Sequence, residues 1–331
     1  TGHRYACPAK FYPGIMYADR NVLKALNVDI PDQHWTWDQM IDTIKKCTTT
    51  VNGTSYYGLG FYNRLDSYYG IAASQDVIGE FGYNGKTFDL SAWAEGEQQF
   101  AELKQNHYVA PSQNSQEMED WVGDWEAWCG TTGQVALFSE AFWTFQDFWN
   151  TEEYKKYNLD IVPYVIPAVN EADASSEHHS IANFFGGGIC RGTQHPREAY
   201  ELMKFLFWGR DGWLTKIQLF QTGASGYENG QLKYPTAETD KPLKNHDMVC
   251  PITNNQEVWD AYIKMYCDGM DDEHVQLWRD YFASCMQPIS FGWTNIAGYW
   301  NFCDEYFNAI GIHDLVDNGR SEERRVGKEC R

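Results

Sequence analysis

Short apolar runs of strand length alternate along this chain with segments of helical periodicity, and that alternation most narrows the folds open to it. Residues 133–139 (GQVALFS), built on the apolar run Val135 to Phe138, predict a short buried strand; residues 56–61, 161–167 and 182–190 predict others. Residues 4–8 read as a strand ended by Pro8, and 14–17 as a strand running into a helix over 19–26 that stops near Asn27. Thr36 stands three residues before Gln39 and ahead of Met40, Ile41 and Ile44, which predicts a capped helix to about Cys47. Asn52-Gly53 predicts a turn, and residues 68–74 and 91–104 predict helices, the latter with Trp93, Phe100 and Leu103 on one side. A loop over 111–117 and an aromatic helix over 120–129 are expected next. Residues 170–179 read as a loop, and His195-Pro196 opens a helix over 197–208. The signal is weak from Trp213 to Tyr234, with a loop at 222–226. Beyond Val258 the pattern is helical, with Trp259, Ile263 and Tyr266 on one face, a turn near Gly269, a helix over 273–285 and a last one over 294–309. Strands alternating with helices predict an α/β protein.

At 331 residues the chain exceeds the usual size of a single core, so two lobes are expected. Its longest apolar runs are far too short to cross a bilayer. A formal charge of −20 argues against nucleic acid or an anionic membrane as partner, because a phosphate backbone needs a basic face. The densest basic stretch, 320–331 (RSEERRVGKECR), resembles an in-frame translation of a common sequencing adapter and is set aside from fold reasoning as a non-native tail. It holds five basic and three acidic residues, so the body is more acidic by two charges. Eight cysteines then remain, scattered, with no CxxC pair and no Cys/His ligand spacing, so neither a metal nor a cofactor is expected. Mostly free thiols are expected. Aromatic residues reach 16%, with 14 Trp, a composition suited to flat amphipathic ligands as well as to a large core.

The order of motifs resembles one family, the extracellular solute-binding proteins of ABC sugar importers, the group that includes maltose-binding protein. Tyr5-Ala-Cys-Pro8 followed by Met16-Tyr-Ala-Asp19 is similar to the family passage in which the chain leaves the first lobe through the hinge. Trp37-Asp38 matches its helix start. The run 133–139 followed by Trp143 resembles the family's "G-k-x-A-M…g-x-W" strand and loop. Gly186-Gly-Gly-Ile-Cys190 with His195-Pro-Arg-Glu-Ala199 resembles the return through the hinge. The likeness spans roughly residues 4–310, and Ala18 departs from it where the family often has Asn. It implies a two-lobed, periplasmic-binding-protein-like (type II) α/β fold with an incomplete first lobe. Residues 1–8 would be the hinge strand from the first lobe, 9–183 the second lobe, 184–245 a return segment of the first lobe, and 246–319 the C-terminal helices of the second.

The same resemblance implies capture of a carbohydrate, an oligosaccharide by preference, through lobe closure, and delivery to ABC permease membrane subunits. Such a protein would be a monomer and would work outside the cytoplasm, periplasmic or lipid-anchored. Sugar recognition needs aromatic faces against the C–H faces of the rings and polar groups around the hydroxyls. Trp143 matches the family aromatic in the loop after the buried strand, and Trp293 the one before the last helix. Asn63, Arg64 and Asp66 lie in the loop that offers polar contacts, although Arg64 and Asp66 equally suit a solvated ion pair. Tyr12, Phe185 and Gly186 face the cleft if the hinge assignment holds. Glu140 is a candidate acceptor for sugar hydroxyls, or else a helix cap. A peptide, polyamine or other polar solute is the alternative ligand. A glycoside hydrolase is the alternative of another class, but pairs such as Asp124/Glu126 and Asp271/Asp272 fit a solvated face better. No GxSxG, HExxH, P-loop or GxGxxG string is present, and His178-His179 sits in a polar stretch. No enzymatic activity is expected.

Overall fold

A computed structural model describes residues 7–29, 32–62, 65–74, 78, 82, 84, 86–169, 182–224, 226–234 and 249–285. In chain order the main elements are β1 (Cys7–Pro13), β2 (Met16–Asp19), α1 (Arg20–Ala25), α2 (Trp37–Cys47), β3 (Thr49–Val51), β4 (Thr54–Tyr62), α3 (Leu65–Ser74), α4 (Ser91–Gln105), α5 (Gln116–Val122), β5 (Val135–Ser139), β6 (Ile161–Tyr164), β7 (Ala182–Gly187), α6 (Pro196–Met203), α7 (Arg210–Thr222), β8 (Gly226–Glu228), β9 (Gln231–Lys233), α8 (Gln256–Tyr266) and α9 (Asp272–Cys285). The α/β expectation holds.

One mixed sheet organises most of this, with strand order β3-β4-β5-β2-β6. β4 and β5 run parallel, whereas β2 is antiparallel to both β5 and β6. β1 and β7 form a separate antiparallel pair, with Tyr12 opposite Asn183 and Pro8 opposite Gly186. The central strands β2, β5 and β6 are buried along their whole length, as their largely apolar sequences require of a sheet covered on both faces, with only Asp19 and Ser139 bringing polar side chains inside. Helix α2 opens on the capping box that the sequence predicts: the Gln39 N–H donates to Thr36 Oγ1 at 3.2 Å, and Gln39 Oε1 accepts from the Thr36 N–H at 2.8 Å. Asn52 and Gly53 both take positive φ, 51° and 85°, which closes the β3–β4 hairpin with strands twisted correctly against each other.

Much of the aromatic excess is core. Trp35, Trp37, Trp213 and Trp278 are fully buried. Tyr17 stacks on Phe138 and Phe145, and Trp278 and Phe282 pack edgewise or tilted on Tyr266 and each other. Full burial of each such ring contributes about 1.5–3 kcal/mol. A second, small cluster of Trp213, Val249 and Val258 joins α7 to α8. Among the described residues six cysteines are free thiols, five of them buried.

The structure revises several boundaries. The helix expected over 120–129 lies earlier: Ser115 caps it by accepting from the Met118 N–H, and Gly123 ends it at φ 71°, so residues 124–128 continue as a turn. The weak signal after Trp213 conceals the full helix α7. The first strand does not stop at Pro8 but runs to Pro13 with a bulge between Pro8 and Lys10, because proline is tolerated on a strand that has one hydrogen-bonded neighbour. Asp66 falls in the first turn of α3 rather than in a loop. The expected loop at 170–179 and the last helix lie outside the described residues.

Helix α9 is fastened to the sheet by a charged latch. His274, 8% exposed, sets Nε2 against Asp160 Oδ1 and Nδ1 against Asp271 Oδ1, each at 2.9 Å. Arg20 grips the same Asp160 through Nε at 2.9 Å and Nη2 at 3.0 Å, and pairs with Glu273. With a carboxylate at each ring nitrogen, only the imidazolium satisfies both contacts. The hydrogen bond to Asp160 accordingly raises the His274 pKa, outweighing partial burial. Burial opposes ionisation of Asp160, but the hydrogen bonds from His274 and Arg20 overcome it and hold its carboxyl below the usual range.

Two outcomes follow. Because the His274 pKa is raised on folding, its contribution to stability is complete below the ordinary histidine range and is lost as pH rises through the raised value. Urea midpoints should therefore fall from pH 6 to pH 8.5 more steeply in the wild type than in His274→Gln, and equal slopes would remove the latch from the account. Thr36→Ala should cost about 1 kcal/mol through loss of the α2 cap, read as a lower midpoint at an unchanged denaturant slope.

Candidate functional site

The carboxyl ends of β4 and β5 and the start of β2 lie together at one edge of the mixed sheet, since Tyr62 is the register partner of Ser139, and Tyr17 of Phe138. That edge is where ligands commonly meet open α/β sheets. Among the described residues two short connections frame that edge, residues 14–15 leading into β2 and residues 140–144 leaving β5.

Both connections are tied down from below. Ser139 Oγ donates to the Ile15 carbonyl at 2.8 Å, and Tyr281 Oη donates to the Gly14 carbonyl at 2.9 Å, both buried. Tyr17 Oη donates to the carbonyls of Ala141 and Phe142 at 3.2 Å each, and the Tyr266 hydroxyl donates to the same Phe142 carbonyl. Burial drives the pKa values of Tyr17, Tyr266 and Tyr281 well above that of a free phenol, so these hydroxyls remain protonated donors. A short 3₁₀ turn, Phe142–Thr144, then presents Trp143.

Trp143 is partly buried and meets the Tyr12 ring edge to face at 5.0 Å, with Phe142 against both rings. Tyr12 in turn packs against the large core and against the small Trp213 cluster, so it sits where the two bodies of apolar side chains meet. Glu140, also partly buried, accepts from the Ala141 N–H at 2.8 Å and so stiffens the start of the turn.

The structure thus brings Tyr12, Trp143 and Glu140 to one edge. Gly186 is exposed and lies opposite Pro8, near the other end of β1 from Tyr12. Phe185 is the register partner of Lys10, and Asp66 lies in α3; their side chains are not among those described. Asn63, Arg64 and Trp293 lie outside the described residues, as does His178-His179. Two residues at this edge escaped the sequence reading. Ser139 and Phe61 read there only as the ends of their strands, yet Phe61 is 47% exposed. Among the described residues no group of three or more His, Cys, Asp or Glu is placed to hold a metal ion, and no helix is long and apolar enough to cross a membrane.

No family model and no curated protein matches the chain. Solved structures do. An ABC substrate-binding protein from Listeria monocytogenes in complex with cycloalternan is similar at a TM-score of 0.57 and 17% identity, over 97% of this chain and 68% of that one. A sugar transporter from Rhizobium etli in an open conformation is similar at 0.60 and 13%, over 96% and 68%. A cyclo/maltodextrin-binding protein complexed with maltotetraose is similar at 0.53 and 15%, over 96% and 66%. The chain has the α/β fold of the ABC substrate-binding proteins.

Proposed function

We propose that this protein captures a carbohydrate outside the cytoplasm and hands it to the membrane subunits of an ABC importer, without transforming it. The observation that carries the reading is the Trp143–Tyr12 pair at the sheet's carboxyl edge, Trp143 on a tethered connection and Tyr12 near the end of β1, with Glu140 at the start of the same connection as Trp143. Ring faces take the C–H faces of a sugar and carboxylate oxygens accept its hydroxyls. The carbohydrates bound by the cycloalternan and maltotetraose complexes support the same choice of ligand.

The lobe assignment belongs to this proposal: residues 9–183 with 246–319 as the second lobe, and 184–245 as a return segment of the first, joined through the β1–β7 pair. Neither β1 nor β7 is hydrogen-bonded into the five-stranded sheet, which suits a two-stranded hinge about which lobes could close. On the return segment Leu202 is 58%, Phe205 45% and Leu206 40% exposed, an apolar face suited to packing against further first-lobe structure.

A binding role fits the carboxylates better than hydrolysis does. Burial raises the Asp19 pKa to about 6, in the range of a general acid, but its Oδ1 accepts from the N–H groups of Asn21, Val22 and Asp160 at 3.0–3.4 Å. It is a helix cap inside the core. Asp160 is held by Arg20 and His274.

Intrinsic Trp fluorescence and calorimetry against a panel of tetrasaccharides, with peptides and polyamines alongside, should give saturable micromolar or tighter binding to a sugar and no turnover on chromatography. A response to peptides or polyamines alone would keep the fold and remove the carbohydrate. Residues 1–319 expressed alone should bind an apolar-surface dye and self-associate, and Leu202→Gln with Phe205→Gln should reduce both; a monodisperse chain blind to the dye would overturn the packing role of that face.

A further inference from the structure

Phe61 stands near the end of β4 in a backbone arrangement that turns it away from the core. Between Leu59↔Leu137 and Tyr62↔Ser139 the β4 strand advances three residues while β5 advances two, a bulge. Bulges re-aim side chains and recur beside functional sites. The amide displaced by the bulge is not left bare: the Phe61 N–H donates to Cys129 Sγ at 3.2 Å. Burial pushes the Cys129 thiol up to about 11, so the acceptor is a neutral thiol and not an ion. The bulge also needs Gly60, because a Cβ there would approach Val135 Cγ1 to 2.9 Å and Cys129 Sγ to 3.0 Å.

The result is costly unless something uses it. Leu59, two residues earlier, is fully buried, whereas Phe61 is 47% exposed and forgoes part of the roughly 1.5–3 kcal/mol that burying its ring would contribute. Exposed aromatics scattered singly over a surface need no explanation. This one differs in being held out by a bulge, a glycine and a buried thiol acceptor, at the same sheet edge as Trp143 and Tyr12.

Its lateral position matters. Phe61 rides on β4, Glu140 follows β5, and Tyr12 precedes β2, the next strand across. Neighbouring strands are about 4.8 Å apart, so the row from β4 across β5 to the start of β2, where Tyr12 leads in, spans about 10 Å, more than one pyranose ring occupies.

We propose that Phe61 is a second sugar-stacking platform at the far end of this row from Trp143 and Tyr12, which makes the site selective for a chain of sugar rings over a single ring. The inference rests on the carbohydrate reading above and deepens it.

The test uses the same preparation as the sugar panel, with maltotetraose, cellotetraose, xylotetraose and stachyose each set against glucose, xylose or galactose. Phe61→Ala should weaken the tetrasaccharide that the wild type binds by about tenfold and leave any monosaccharide affinity unchanged, while Phe61→Trp should restore it. Cys129→Ala, which removes the acceptor that fixes the bulge, should weaken the same tetrasaccharide with the ring still present. Far-UV circular dichroism and thermal midpoints should show Phe61→Ala folded as the wild type. If Phe61→Ala binds the tetrasaccharide within twofold of the wild type while Trp143→Ala does not, the platform falls and the carbohydrate reading stands. If the wild type binds none of the sugars, the carbohydrate reading falls and the platform with it.

Discussion

The structure depends on how backbone carbonyls are satisfied where the mixed sheet ends. Chain leaving a buried strand carries polar groups that neither the ladder nor solvent reaches, and each one left unpaired would cost about 1–3 kcal/mol. Here the carbonyls of Gly14, Ile15, Ala141 and Phe142 are met by hydroxyls from Tyr281, Ser139, Tyr17 and Tyr266. A tyrosine suits this role because its ring fills the core while its hydroxyl emerges at the layer where the connections pass. The connections are therefore fixed by the core itself, and the side chains they carry inherit that rigidity. Trp143 needs no packing on its outer side to hold its position.

Rigidity at the edge moves flexibility elsewhere. The β1–β7 pair stands outside the main sheet, and Tyr12 lies at the end of β1 that leads into it. Tyr12 touches Trp143 on one side and, through the Trp213 cluster, helices α7 and α8 on the other. On the proposed reading, bending at the strand pair changes what Tyr12 meets while the 140–144 turn stays still. The small cluster helps fix where that bending stops, and the bidentate pair of Arg210 with Glu257 ties the same two helices at their exposed surface. Salt and solvent screen an exposed pair, so its effect is on registry more than on stability.

What the sequence discloses and what it conceals divide along sequence distance. The α2 capping box, the Asn52-Gly53 turn and the amphipathic face of α8 are local, and the chain reads correctly at all three. The helix read over 120–129 fails because apolar spacing outweighs two punctuation marks, Ser115 at its start and Gly123 at its end. Helix α7 goes unread because its apolar residues do not fall on one clear face and Trp213 is buried by packing against Val249 and Val258. In the site, Trp143 is found through family resemblance, but its contact with Tyr12 joins residues 131 positions apart. Phe61 goes unread for the same reason: it stands at the end of the strand read over 56–61, and the Cys129 thiol that accepts from its N–H at the bulge is 68 positions away. Long-range contacts shape this edge of the sheet, and no local pattern encodes them.

The distribution of charge bears on what kind of solute such an edge can hold. The protein is strongly acidic, yet its interior carboxylates are balanced where they stand, Asp19 by backbone N–H groups and Asp160 by Arg20 and His274. The excess sits on exposed helix positions such as Glu102, Glu119 and Asp120, spread over more than one helix. A cationic ligand would be drawn by that field to many places at once, and salt would screen the attraction. A neutral ligand takes nothing from it and must find its affinity in ring faces and hydrogen bonds at short range. On the proposed reading, Trp143 and Tyr12 supply the first of these and Glu140 one of the second. The exposed acidic residues, on that reading, leave affinity for an uncharged sugar to these short-range contacts at the edge.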